Sequence, residues 1–116
     1  MQAVKVYGLK RCSTCVKARK WLDKRAIDYT FIDYRDEAVA PDTVLTWAST
    51  LGWKALINRA STSWRALSDE QKEVSTDAQW LALIAEHPTL VKRPILVHEG
   101  TVDVGFSEAR YVEIFG

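Results

Sequence analysis

Residues 3–7, AVKVY, are rich in β-forming residues and partly alternate apolar and polar positions, which predicts a strand, and Gly8 then breaks the run. From Ser13 to about Arg25 the period lengthens. Cys15, Ala18 and Leu22, with Val16 and Trp21 beside them, recur at three- to five-residue intervals, while Lys17, Lys20 and Lys24 take another face. That spacing predicts an amphipathic helix. Residues 28–34, DYTFIDY, set Tyr29, Phe31 and Asp33 against Thr30 and Ile32 and predict a second strand. Two strands joined by a helix this short form a βαβ unit, whose strands must run parallel.

From Pro41 to His87 the sequence shows helix signals and no strand. Asp42 is the expected N-cap of TVLTWASTL, and Gly52 is its stop. Two capping boxes follow, Ser68 to Gln71 and Thr76 to Gln79, and Pro88 ends the last helix. Residues 41–88 therefore read as a helical insertion within a single domain spanning 1–116. Beyond it, Ile95–Val97 and Thr101–Val104 predict two strands around a tight turn at Glu99-Gly100, and Ser107 caps a short amphipathic C-terminal helix. The order β-α-β, helices, β-β-α, with a C-x-x-C between the first strand and first helix, is an α/β chain of thioredoxin-like layout with a mixed sheet.

A chain of 116 residues is long enough to bury one core without covalent staples, so two cysteines are not a disulfide scaffold. With 16 basic and 15 acidic residues the formal net charge is +1, which points to neither nucleic acid nor an anionic membrane surface. The first residues carry no long apolar run, and no stretch reaches the roughly 18 apolar residues of a membrane span, so the expected location is the cytoplasm. Thiols stay reduced there, and a C-x-x-C is then a catalytic or metal-binding pair rather than a structural bridge.

Cys12 falls at the start of the predicted helix, where unpaired amides and the helix dipole favour a thiolate, with Lys10 and Arg11 next to it. Cys15 follows one turn later, within reach of a mixed disulfide or sulfenic acid formed at Cys12. Cys12 is thus the expected nucleophile and Cys15 the resolving thiol; the plain alternative is two small buried hydrophobes. A zinc site would need His87 and His98 as further ligands, and each stands alone in sequence, so no metal is expected. Residues 10–25 hold seven basic side chains against Asp23 alone, either a solvated face or an attraction for an anionic substrate or protein partner. In VKRPILV, Pro94 opens a strand facing the cysteine loop and is either a cis peptide or an ordinary edge-strand proline, with Arg93 projecting toward the same loop. The five tryptophans fall mostly on helices and read as core contacts.

VYGLKRCSTCVKARKWL, DYTFIDYRDE, LGWKALINRASTSWRAL, HPTLVKRPILV and VGFSEA together resemble the arsenate reductase (ArsC)/Spx family, most of all its YffB branch. The resemblance runs through nearly the whole chain. It implies a thioredoxin-like fold, a cis proline at Pro94 and a redox-active Cys12.

Members of the ArsC branch bind an oxyanion beside the catalytic cysteine with three arginines. Arg93 matches one; Arg59, one residue out of register, is a substitute for the second; Gly105 stands where the third falls. The resemblance therefore argues against efficient arsenate reduction. The YffB branch implies a thiol reductase linked to glutathione as co-substrate, with no bound cofactor. Cys15 is similar instead to the Spx branch, whose C-x-x-C is a redox switch in regulators that bind the RNA polymerase alpha subunit. Two functions are expected from this: a small thiol-disulfide reductase drawing on glutathione, thioredoxin or glutaredoxin, or a redox-sensing regulator with polymerase alpha as partner. In the reductase, Arg93, Arg59, Lys10, Arg11, Ser13 and Thr14 are the expected anion-binding set; in the regulator the expected partner surface is the helical insertion around Gly52 with the first helix, and neither direct nucleic-acid nor membrane binding is expected.

Overall fold

The computed structural model describes residues 4–116. Ala3, the first residue of the expected opening strand, lies outside that range. The chain divides into two compact units, one made of the residues up to Ala38 together with Arg93–Gly116, the other of Val39–Lys92.

The first unit carries the sheet. β1 (Val4–Gly8) leads through a short loop into α1 (Ser13–Lys24) and returns in β2 (Thr30–Asp33); β3 (Ile95–His98), β4 (Thr101–Val104) and the C-terminal helix close the chain. The sheet order is β2-β1-β3-β4, with β1 and β2 parallel and the other pairs antiparallel. This is the mixed sheet of a thioredoxin-like fold. Gly8 does not break β1, as its sequence position suggested, but is its last residue, paired with Asp33. Between β3 and β4, Glu99 and Gly100 have φ of 49° and 78°, the two left-handed positions of a type I′ turn. The core packs Val4, Val6 and Leu96 of the sheet against Ala18, Trp21 and Leu22 of α1 and the fully buried Tyr111.

The second unit is helical, and the expected insertion of 41–88 lies inside it. α2 (Pro41–Leu51) is followed by three single-turn helices, α3 (Trp53–Leu56), α4 (Thr62–Arg65) and α5 (Asp69–Lys72), then by α6 (Asp77–Glu86). Both capping boxes form as the sequence pattern indicates. The start of α2 differs: its N-cap is Ala40, with Pro41 in the first helical position and Asp42 in the first turn. Proline's fixed φ suits that position and moves the boundary two residues upstream. Gly52, at φ 84°, ends α2 as expected. Pro88 both ends α6 and opens a 3-10 turn, and one isolated bridge, Ile57 with Val91, stands among the helices. Trp80 is stacked between Trp53 and Trp64, with ring centroids 5.6 and 6.1 Å away. The final helix, α7 (Glu108–Phe115), lies in the first unit and is capped by Ser107.

No helix among the described residues is long and apolar enough to cross a membrane.

Candidate functional site

The loop after β1 ends at Cys12, which has extended backbone geometry and is the N-cap of α1. Its N–H donates to Leu9 O and its carbonyl accepts from Val16, so the first turn of α1 begins directly at the thiol. Asp33 braces this loop from β2: its carboxylate accepts from the backbone N–H of Lys10 and of Arg35, each at 2.9 Å. The Lys10 amide, then burial working the other way, then the Arg35 amide set the Asp33 carboxyl below its ordinary value.

The two thiols are free and differ in setting. Cys12 is half-exposed. Burial works against its ionisation, but the amide of Cys15, the Cys15 thiol, the Arg93 side chain and the amide of Thr14 outweigh it and lower the pKa. Cys15 is fully buried on the inner face of α1, and burial, first among its influences, pushes its thiol up to about 12. Its sulfur sits against the end of β1, where a Cβ placed on Gly8 would stand 2.5 Å from it. Only glycine leaves room there.

Arg93 stands opposite Cys12, held by an Nη1 hydrogen bond of 3.4 Å to the hydroxyl of Tyr34. Tyr34 is 5% exposed, and its own N–H donates to the Gly8 carbonyl at 3.1 Å. The Arg93–Pro94 peptide is cis. The Pro94 carbonyl accepts from Gly105, whose φ of 80° lies in the left-handed region that favours glycine. Leu9, Lys10, Arg11, Cys12, Asp33, Arg35, Asp36 and Arg93 line an open cavity of about 440 Å³.

Part of the sequence-derived set is gathered in this cavity. Cys12, Lys10, Arg11 and Arg93 share the cavity, and Ser13 and Thr14 are the first two residues of α1. The Lys10 ammonium is committed to Asp36 at 2.8 Å, which leaves Arg11 and Arg93 as the stronger anion donors of that set. Arg59 belongs to the other unit, with its guanidinium 5.5 Å from the Trp64 ring and 6.0 Å from that of Trp80. Sequence reasoning missed Tyr34, Asp33 and Arg35. In the sequence Tyr34 and Asp33 read only as strand residues, because Asp33 meets Lys10 across 23 residues and Tyr34 meets Arg93 across 59. His87 and His98 each lie near a single carboxylate, and no group of three or more potential metal ligands forms among the described residues.

Comparison with known proteins agrees with this architecture. An uncharacterised protein of Haemophilus influenzae is 37% identical over 112 residues, 97% of this chain and 98% of the relative. A solved structure described as the YffB protein superposes with a TM-score of 0.93 at 33% identity, covering 98% of this chain and all of the other. The global transcriptional regulator Spx 2 of Bacillus anthracis is 28% identical over 107 residues, 90% of this chain and 81% of that protein. The ArsC family model matches residues 7–114, which takes in the cysteine loop, the helical unit and the cis proline. The chain belongs to the ArsC family.

Proposed function

We propose that this protein is a small cytosolic thiol-disulfide reductase in which Cys12 attacks and Cys15 resolves. One observation carries the reading: Cys12 opens onto a cavity beside a cationic Arg93 and the first-turn amides of α1, while the second thiol is buried one turn behind it. The Cys12 thiolate attacks one sulfur of a disulfide, one S–S bond forms as another breaks, and the departing sulfur takes a proton from solvent. Cys15, once deprotonated, displaces the second sulfur and leaves a Cys12–Cys15 disulfide. Two electrons have then passed to the substrate, and glutathione, thioredoxin or glutaredoxin returns them. Arg93 and Arg11 hold an anionic group of the incoming molecule.

The test is the reactivity of the two thiols. Near neutral pH iodoacetamide should label Cys12 well before Cys15, with a pH midpoint below that of free cysteine, and mild peroxide should remove two hydrogens from the intact mass. Equal labelling rates, or Cys15 reacting first, refute the assignment. A second reading, a redox-sensing regulator that binds the RNA polymerase alpha subunit, is favoured by the C-x-x-C and by the likeness to Spx 2. Capture by the alpha C-terminal domain that depends on the oxidation state of Cys12 would select it over the reductase.

A further inference from the structure

The basic run of residues 10–25 is resolved by the structure into cations with different fates. Lys10 is neutralised by Asp36. Arg19 lies 4.3 Å over the ring of Phe31 and Arg25 4.3 Å over that of Trp21, so both guanidinium groups are laid against the fold. Arg11, Lys17, Lys20 and Lys24 are exposed, as Arg25 is despite its ring contact. The three lysines are spaced three and four apart and share one face of α1, a stripe of about 10 Å at 1.5 Å per residue. It starts about a turn and a half beyond Cys12.

The rest of the chain is charged the other way. Residues 10–25 take seven of the 16 basic side chains and one of the 15 acidic ones, leaving nine basic against fourteen acidic elsewhere. The near-neutral total therefore hides a positive pole on the helix that begins at the reactive thiol. Such a pole orients an incoming macromolecule during diffusion, an effect that a small thiol, bound within the cavity itself, does not need.

We infer that the lysine stripe of α1, with Arg11 at its head, is the docking surface for an acidic protein that carries the disulfide exchanged at Cys12. This rests on the reading of Cys12 as the exchanging thiol. Nucleic acid fits the surface less well. Arg19 in the helix and Arg25 at its C-cap, the side chains suited to bidentate phosphate contacts, each have the guanidinium over an aromatic ring, and three lysines neutralise too few phosphates for firm binding at physiological salt.

Two synthetic peptides of equal length test this, each carrying one cysteine as a mixed disulfide with thionitrobenzoate, one flanked by aspartates and the other by asparagines. The reduced full chain attacks the peptide sulfur, thionitrobenzoate leaves, and its absorbance gives the rate. The aspartate peptide should react about tenfold faster at ~20 mM salt, and the advantage should fade by ~300 mM, where screening shortens to several ångströms. In the Lys17→Gln/Lys20→Gln/Lys24→Gln variant the ratio should fall to about twofold or less, with the asparagine peptide reacting at the wild-type rate. A ratio near one in the wild type, or one that the variant leaves unchanged, overturns the inference while the thiol reading stands. Labelled single-stranded DNA that binds more tightly than the aspartate peptide overturns it in favour of a nucleic acid. If neither peptide reacts faster than with free cysteine, the thiol reading itself fails and this inference falls with it.

Discussion

Replacing Gly8 with alanine should damage the fold through one atom. The new Cβ would stand 2.5 Å from Cys15 Sγ, and ordinary contact requires a separation larger by about 1 Å. Neither side yields easily. Gly8 is pinned by its pairing with Asp33 and by the Tyr34 amide on its carbonyl, and Cys15 is fully buried on the inner face of α1. Overpacking of this kind costs about 1–3 kcal/mol. In a Cys15→Ala background the clashing sulfur is gone, and the nearest remaining atoms are the residue 15 Cβ at 3.6 Å and Phe31 Cε1 at 3.7 Å, both ordinary contacts. There Gly8→Ala should be neutral or stabilising by about 0.4–1 kcal/mol, because alanine restricts the unfolded chain more than glycine does. Urea unfolding of the four proteins of this cycle, in dithiothreitol and followed by far-ultraviolet circular dichroism, measures the coupling. A coupling within about 0.5 kcal/mol of zero would refute the close packing of Cys15 against β1.

Tyr34→Phe removes the hydroxyl that accepts from Arg93; the midpoint of Cys12 alkylation should move to higher pH with the circular dichroism unchanged, and Arg93→Met should move it further. An unmoved midpoint in both would mean that Arg93 does not act on the thiolate. Asp33→Asn loses a carboxylate whose folded pKa is depressed, so the stability it contributes is present above its unfolded value and lost as pH falls through the lower folded value. Denaturation midpoints of wild type and variant should therefore differ at pH 7 and converge from about pH 5 toward pH 3; a gap that widens instead contradicts the sign. Arsenate should be a poor substrate in an assay coupled to glutathione and glutaredoxin, on the order of tenfold to a hundredfold below an enzyme with three oxyanion arginines. Gly105→Arg should raise that rate at some cost in stability, since an arginine there must adopt a φ of 80°, and wild-type turnover equal to the three-arginine enzyme would sink the argument.

What the sequence shows of this molecule is what local physics decides. The capping boxes at Ser68 and Thr76, the Glu99-Gly100 turn and the helix after Cys12 each depend on side chains within four residues, and each forms where its pattern places it. Asp42 misled because aspartate suits both the N-cap and the first turn, and only the preceding proline decides between them. The reason for Gly8 was invisible, since it lies in a sulfur seven residues later that packs against the strand only after α1 has docked. Tyr34 was equally silent. An aromatic residue ending a strand reads as core, and its hydroxyl acquires a purpose only when Arg93 arrives from far along the chain.

That hydrogen bond joins residues 59 apart, and almost everything between them is the Val39–Lys92 unit. In polymer terms it is the closure of a long loop, whose entropy grows only with the logarithm of length, so doubling the loop would add about 0.6 kcal/mol. Turns of helix added or removed between Val39 and Lys92 should scarcely register at the thiol. The link between Tyr34 and Arg93 thus sets a tether whose cost depends little on how much chain lies between its ends.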